Sequence, residues 1–286
     1  MRIHDTSAET LGVAPTLHLA TRYRREVRAS VERIWENVFD WEHLPVLHEM
    51  LFNRAELLHI DDDRWTVKLT RQPGDASRMQ VLEMKADRAN TRYRVTTLEG
   101  SGTGTEIHTQ MQALGDHLTA IEVRYYLPVS QPDKLALLGD KYRCSCQQLW
   151  DEDEVMMMHR ERSARPAADA DTATIATARS PDTLTLDPLP ELRARLPMLV
   201  DVGGRRFRLL ELESGELAAH ATVCPHWMGP LDAVPVEDGC VRCPWHGYRF
   251  DVRTGASTDG RGLQLAPAPA IFIDPSSQQV TLMANH

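Results

Sequence analysis

The sequence predicts an α+β protein with two domains, of which the first mixes helices and strands and the second is smaller and all-β. A chain of 286 residues with 42% hydrophobic residues can bury a sizeable core, and two domains fit this length better than one. Residues 15–162 combine helical and strand patterns, whereas residues 182–284 contain short strand patterns split by glycine and proline turns. Between them, residues 163–181 carry Ala, Thr and Asp in place of large apolar groups, which predicts a linker, with an Ala-rich helix as the alternative.

The first domain is predicted to begin with a strand and two short helices. Residues 17–29 alternate apolar and charged side chains, as a half-buried strand does. Ser30 suits the N-cap of the next helix, whose apolar face consists of Val31, Ile34, Trp35 and Val38. A second short helix is predicted over residues 40–50, interrupted by Pro45.

Strand patterns and one long helix complete the first domain. From about residue 51 to 128, strand patterns such as RWTVKL and TAIEVRYYLPV are separated by turn signals, and residues 131–162 predict the longest helix. This order of elements resembles the helix-grip (START/SRPBCC-like) fold, in which a curved sheet wraps around the last helix. The resemblance implies an apolar cavity, which suits a hydrophobic or aromatic small molecule.

Charge and hydropathy exclude several classes of partner. The net charge of −9, from 41 acidic and 32 basic residues, argues against non-specific nucleic-acid binding. No apolar run reaches the roughly 18 residues that span a bilayer, and the N-terminus lacks the basic start and apolar stretch of a secretory signal. We therefore expect a cytoplasmic protein that binds neither nucleic acid nor membrane.

Two cysteine-containing loops in the second domain form the strongest motif. Cys224 and His226 form C-x-H, and Cys243 and His246 form C-x-x-H, so each loop offers one thiolate and one imidazole. A Rieske-type [2Fe–2S] cluster uses this ligand set, with two Cys on one iron and two His on the other. A zinc site, or buried cysteines beside incidental histidines, are the alternatives. The string CPH…CPWHGYRFD…TG resembles the Rieske domain nearly residue for residue. The first loop has no extra cysteine that could form a disulfide with Cys240, so the domain is similar to Rieske proteins of the ferredoxin or oxygenase kind.

A second motif, D-x-x-H-x-x-x-x-H, consists of Asp40, His43 and His48. Residues five apart lie about 140° apart around an ideal helix, so the two imidazoles would not share a face. Pro45 kinks or ends such a helix, which would allow both rings to reach one point. Iron sites that activate O2 combine two His with one carboxylate and keep open positions. Ordinary surface or core histidines are the alternative interpretation.

The acidic run in the long helix offers the third ligand of such a site. It contains Asp151, Asp153 and Glu154. The run is similar to the helix of the Rieske non-haem iron oxygenases in which an Asp completes the iron site, and this resemblance implies Asp153 as the ligand, with Asp151 and Glu154 as the alternatives.

Together these motifs resemble the Rieske non-haem iron oxygenases, specifically their ring-hydroxylating alpha subunits, but with the order of the two domains inverted. The resemblance implies that His43, His48 and Asp153 bind a mononuclear Fe(II), and that Asp40 links this iron to a histidine of the cluster. It also implies O2 as a substrate, a separate NAD(P)H-dependent reductase or ferredoxin, and a homo-oligomer, commonly a trimer. No G-x-G-x-x-G fingerprint is present, which agrees with a separate reductase.

Two functions are therefore predicted. The first is an oxidoreductase, a Rieske mono- or dioxygenase in which the cluster feeds electrons to Fe(II) for the oxidation of a hydrophobic or aromatic small molecule. The second is a non-catalytic helix-grip ligand-binding domain fused to a Rieske electron-transfer module. The second function needs no mononuclear metal and predicts that residues 43, 48 and 153 lie apart.

Overall fold

The computed structural model describes residues 16–74, 76–164 and 180–285. They form two compact units. The first unit consists of Met50–Trp150 and the described residues up to Val31, and the second consists of Glu32–Glu49 and the described residues from Asp151 onward.

These units do not follow the predicted domain bounds. The predicted first domain, residues 15–162, contributes to both units, because residues 32–49 and 151–162 belong to the second unit. Most of the predicted linker, residues 165–179, lies outside the described residues.

An antiparallel sheet dominates the first unit. Its described strands are β1 (His18–Val27), β2 (Phe52–Ile60), β3 (Arg64–Arg71), β4 (Met79–Asp87), β5 (Arg92–Gly100), β6 (Glu106–Gly115) and β7 (Leu118–Leu127). They pair in the order β1-β7-β6-β5-β4-β3-β2, so that β2 to β7 form a meander and β1 closes against β7. Strand β7 shows how the sequence specifies the core, because Ile121, Val123 and Tyr125 are buried while the residues between them are partly exposed.

A long helix, α3 (Pro132–Ala164), follows the sheet, and its N-terminal half belongs to the first unit. There Tyr142 stacks on Tyr125 with ring centroids 5.0 Å apart. A Cβ at Gly139 would lie 2.4 Å from the carbonyl oxygen of Ala20, so only glycine permits this approach of helix to strand. The predicted helix-grip architecture is confirmed. Within the described residues, no helix has the length and apolarity that a membrane span requires.

Two short helices lie between β1 and β2, and the first matches the prediction whereas the second differs from it. After α1 (Val31–Phe39), a 3₁₀ turn covers Trp41–His43 and a separate helix, α2, covers Leu44–Leu47. Pro45 lies in the first turn of α2, where its missing N–H breaks no hydrogen bond, so it starts a new helix instead of interrupting one. His43 therefore precedes α2 and His48 follows it.

The remainder of the second unit is built from small sheets. Its strands are β8 (Thr183–Pro188), β9 (Met198–Val202), β10 (Arg205–Glu211), β11 (Leu217–Ala221), β12 (Val236–Glu237), β13 (Cys240–Arg242), β14 (Arg249–Asp251), β15 (Ala270–Ile273) and β16 (Gln279–Met283), with one short helix, α4 (Leu189–Arg193), after β8. They pair as β11-β10-β9, β12-β13-β14 and β15-β16-β8. Leu209, Phe250 and Leu282 are fully buried among them, and Met156 of α3 joins the same core. The predicted small all-β domain is confirmed, and α4 is an addition to it.

Candidate metal centres

The two cysteine loops share one backbone conformation. In each, the N–H of the cysteine donates to the carbonyl five residues later, at 2.9 Å for Cys224 and 2.8 Å for Cys243. In each, the cysteine carbonyl accepts from the N–H four residues later, at 3.0 and 2.9 Å. The residues at that fourth position, Met228 and Gly247, both have a left-handed backbone, with φ of 59° and 71°. Two equivalent loops thus present two equivalent sulfurs.

The side chains of these loops form a donor set that fits a [2Fe–2S] cluster. The Cys224 thiol donates to the Cys243 sulfur, and this hydrogen bond lowers the pKa of the Cys243 thiol. The imidazole centroids of His226 and His246 are 4.6 Å apart. Both Nδ1 atoms are buried and have no hydrogen-bond partner among the described residues. Two thiols beside two uncompensated imidazole nitrogens match the ligands of a Rieske cluster.

Gly229 leaves space beside the sulfur atom of Cys243. A Cβ at Gly229 would lie 2.6 Å from Sγ of Cys243 and 3.3 Å from the ring of Trp245. A side chain at position 229 would therefore occupy space next to a sulfur that the cluster needs.

The outer nitrogen of His246 binds a buried carboxylate. Nε2 of His246 donates to Oδ2 of Asp40 at 2.7 Å, and the two residues are 5% and 8% exposed. Burial alone would raise the pKa of Asp40, but the hydrogen bonds from His246 and His43 hold it well below its usual range. Burial alone would lower the pKa of His246, but the hydrogen bond to Asp40 and the neighbouring Cys243 raise it to about 9.

The Nε2 atom of His226 is linked to a different carboxylate, Glu42, through the hydroxyl of Tyr248. The ring of Tyr248 stacks on His226 with centroids 4.3 Å apart, and its hydroxyl lies 3.4 Å from Nε2. The same hydroxyl donates to Oε2 of Glu42 at 3.2 Å, and Arg261 donates to that oxygen at 2.6 Å. Asp40 and Glu42, two residues apart in the chain, therefore orient the two imidazoles, Asp40 directly and Glu42 through Tyr248.

The second candidate centre consists of His43, His48 and Asp153. Nε2 of His43 lies 3.4 Å from Oδ1 of Asp153, and Nε2 of His48 lies 3.2 Å from the same oxygen. One ligand atom from each residue falls within 4.8 Å of the other two. Oδ1 of Asp153 is buried and accepts no hydrogen bond from the described part of the chain. Two imidazoles and one carboxylate that meet in this way fit the facial triad of non-haem Fe(II).

Neighbouring polar groups orient these three side chains. Nδ1 of His48 donates to Oε2 of Glu152 at 2.6 Å, which leaves Nε2 facing Asp153. Asn37 donates to Asp153; burial would raise the pKa of this carboxyl, but His48, then His43 and Asn37, lower it. Metal-binding histidines commonly donate their second N–H to a carboxylate in this manner. Of the alternative ligands, Asp151 is exposed, and Glu154 is not a member of the three-residue group.

Asp40 lies between the two candidate centres. Its Oδ2 is 2.7 Å from Nε2 of His246 and 3.5 Å from Nδ1 of His43. The centroids of these two imidazoles are 6.4 Å apart. One carboxylate of this chain thus contacts a histidine from each centre.

Sequence reasoning missed several residues of this region. Glu152, Tyr248 and Arg160 are among them. Glu152 and Tyr248 are direct neighbours of motif residues, but a neighbour's partner depends on the backbone path, which a motif does not specify. Arg160 lies seven residues after Asp153, on the same face of α3. That spacing was a usable signal, although it did not reveal what Arg160 contacts.

Comparison with known proteins identifies the class of the first centre. The family model for the Rieske [2Fe–2S] domain matches residues 184–267. The chain therefore contains a Rieske domain, which implies a [2Fe–2S] cluster and a role in electron transfer.

Individual relatives match the same region. Apoptosis-inducing factor 3 from Mus musculus is 44% identical over 77 residues, which are 27% of this chain and 12% of that protein. The anthranilate 1,2-dioxygenase ferredoxin subunit from Burkholderia cepacia is 49% identical over 41 residues, which are 14% of this chain and 38% of that protein. The chain thus spans well under half the length of these curated relatives.

Solved structures resemble each part of the chain separately. The ZhuI aromatase/cyclase from Streptomyces sp. R1128 covers 54% of this chain and 99% of its own, with 12% identity and a TM-score of 0.44. The ferredoxin of carbazole 1,9a-dioxygenase from Nocardioides aromaticivorans IC177 covers 36% of this chain and 98% of its own, with 25% identity and a TM-score of 0.30.

Proposed function

We propose that this chain is a Rieske-type oxygenase, in which the [2Fe–2S] cluster passes electrons to a mononuclear Fe(II) for the oxidation of a hydrophobic or aromatic small molecule by O2. Cys224, His226, Cys243 and His246 would hold the cluster. His43, His48 and Asp153 would hold the mononuclear iron.

The meeting of His43, His48 and Asp153 carries this proposal. A ligand-binding domain fused to an electron carrier has no need of a second metal, and it gives no reason for these residues to converge. Their ligand atoms nevertheless lie within 4.8 Å of one another, and all three residues are nine-tenths or more buried. Bringing two imidazoles and a carboxylate together out of water costs free energy, which a bound cation would offset.

The residues of this chain have distinct tasks in such a reaction. Ferrous iron at a site of two His and one carboxylate supplies open positions that suit O2 chemistry. Glu152 fixes the tautomer of His48 by accepting its Nδ1 proton. Asp40 holds the Nε2 proton of His246 and lies beside His43, which makes it the group through which the two centres are coupled.

The position of Asp40 supports electron transfer within one chain. The family that the sequence resembles moves electrons between neighbouring subunits of a ring. Here Asp40 and His246 are hydrogen-bonded at 2.7 Å in the same chain, so the coupling needs no second copy. Electron transfer from the cluster to the mononuclear iron would then not require a trimer.

Electron donor and substrate follow from the same proposal. The sequence contains no dinucleotide fingerprint, so a separate NAD(P)H-dependent reductase or ferredoxin would deliver the electrons. The helix-grip architecture that the sequence resembles encloses an apolar cavity, and a cavity of this kind suits a hydrophobic or aromatic substrate.

The proposal is tested by counting iron and acid-labile sulfide in protein reconstituted under anaerobic conditions. We expect about three irons and two sulfides per chain. The double variant His43→Ala/His48→Ala should keep the sulfide and lose one iron. A matched control replaces two strand histidines, the exposed His59 and the partly exposed His108, with alanine and should leave the iron count unchanged.

Either of two results would contradict the proposal. If the wild-type protein binds only the two irons of the cluster despite added Fe(II), the oxygenase function is refuted and the ligand-binding electron carrier is favoured. If both double variants lose the same amount of iron, the third iron is bound elsewhere.

A further inference from the structure

Arg160, in the C-terminal half of α3, is a buried cation beside the Rieske loops. The residue is 8% exposed, and its guanidinium carbon lies 3.4 Å from the centroid of the Trp227 ring. Its Nη2 pairs with Oε2 of Glu36 at 3.0 Å. Its Nε and Nη1 are buried and make no hydrogen bond to any described residue. Burying a cation with two unsatisfied donors lowers stability, so the position of this charge requires an explanation other than stability.

Trp227 connects this cation with the cluster ligands. It follows His226 in the first cysteine loop. The centroid of its ring lies 6.0 Å from the ring of His226 and 6.0 Å from the ring of His246. The same indole therefore contacts the guanidinium and lies next to both imidazoles.

The guanidinium keeps its charge at this site. Burial lowers the pKa of Arg160 to about 10, while Glu36 and Asp40 act in the opposite direction. At neutral pH the side chain is fully protonated. Because it is shielded from solvent, dissolved salt screens its field much less than that of a surface arginine.

We propose that the buried positive charge of Arg160 raises the reduction potential of the [2Fe–2S] cluster. Reduction adds one electron to the cluster from an external donor, and no bond forms or breaks at Arg160. A fixed positive charge favours the form that has gained the electron. At a separation of about 10 Å and an effective dielectric constant of about 20, one unit charge changes such an equilibrium on the order of tenfold. This inference rests on the cluster alone and does not require the mononuclear iron.

The midpoint potential of the cluster tests the inference without an activity assay. The full chain with its cluster would be titrated with dithionite and ferricyanide and followed by visible circular dichroism. Arg160→Gln should lower the potential by about 59 mV, which corresponds to a tenfold change for one electron. Arg160→Lys keeps the charge without the planar stacking surface and should stay close to the wild type.

Two further variants serve as controls. Arg33→Gln removes an identical charge that is also paired with Glu36, but Arg33 is bound to Glu161 and not to Trp227, so the shift should be clearly smaller. Glu36→Gln removes the carboxylate that neutralises Arg160 and should raise the potential. The Glu36 side chain is 44% exposed, so this variant tests the charge even if Arg160→Gln fails to assemble the cluster.

The results separate charge from packing. A potential that is unchanged in both Arg160→Gln and Glu36→Gln would overturn the inference. So would a fall in Arg160→Lys as large as in Arg160→Gln, because the contact with Trp227 would then matter and the charge would not. None of these outcomes changes the expected count of mononuclear iron, so the inference and the proposed function fail independently.

Discussion

Asp40→Asn removes the negative charge that lies between the two candidate centres while it keeps the size of the side chain and one acceptor oxygen. In the wild-type protein, Oδ2 of Asp40 accepts the Nε2 proton of His246 at 2.7 Å, and both groups are shielded from water. The carboxylate increases the electron density on the imidazole and opposes the arrival of another electron at the cluster. The variant should therefore have a higher reduction potential.

The size of this shift can be worked out from the hydrogen bond. A hydrogen bond to a charged group contributes about 1.5–3 kcal/mol. One factor of ten corresponds to about 1.4 kcal/mol, and to about 59 mV for one electron. We thus expect an increase of about 60–130 mV, toward the lower end because the amide oxygen still accepts a weaker hydrogen bond.

The assay is a redox titration of the loaded cluster at pH 7, followed by electron paramagnetic resonance of the reduced state. Glu42→Gln is the matched control. Glu42 lies on the same turn and is also a carboxylate, but it reaches a cluster ligand only through the Tyr248 hydroxyl. Its substitution should shift the potential less than Asp40→Asn does. An unchanged or lower potential in Asp40→Asn, or equal shifts in both variants, would refute this account of Asp40.

Three more outcomes are expected. If the route lies within one chain, a mixture of Cys224→Ser and His43→Ala proteins should reoxidise the reduced cluster in O2 no faster than the His43→Ala protein alone; a faster rate would show transfer between chains. In the iron-free protein, the pKa of His246 is raised from 6.5 to about 9, so its contribution to stability is complete below pH 6.5 and disappears as the pH rises to about 9. Urea unfolding should show a loss of about 3 kcal/mol over this interval, and the loss should be smaller in Asp40→Asn because only Cys243 still raises the pKa of His246; parallel pH profiles would contradict it. Gly229→Ala should reduce cluster content sharply, because its Cβ would lie 2.6 Å from a ligand sulfur; full iron and sulfide content would show that the loop has room for it.

Periodicity was a sufficient guide to most of the fold. The strict alternation of β7 and the composition of α3 are local properties, so both elements could be predicted close to their observed bounds. Pro45 was misjudged because proline is compatible both with breaking a helix and with starting one, and only the backbone before it decides. Helix α4 is five residues long, too short to produce a periodic pattern.

The candidate sites likewise combine local features, which the sequence could assign, with long-range contacts, which it could not. The cysteine loops carry their ligands within a few residues, so the sequence alone could assign them. The contact of Asp40 with His246 spans 206 positions and depends on how residues 32–49 fold against the Rieske loops. No spacing rule encodes such a contact. Arg160 was missed for the same reason, since its partner Trp227 lies 67 positions further along the chain (227 − 160).

The compact unit that contains both candidate centres is assembled from two separate stretches of the chain. A Rieske domain excised at its family bounds, residues 184–267, keeps its four cluster ligands but leaves His246 without Asp40 and removes Arg160. The excised domain therefore lacks residues that contact its own cluster loops in the full chain. A gene fusion or recombination that moves only this domain transfers an electron carrier, whereas the contact of Asp40 with His246 is inherited only when both stretches move together.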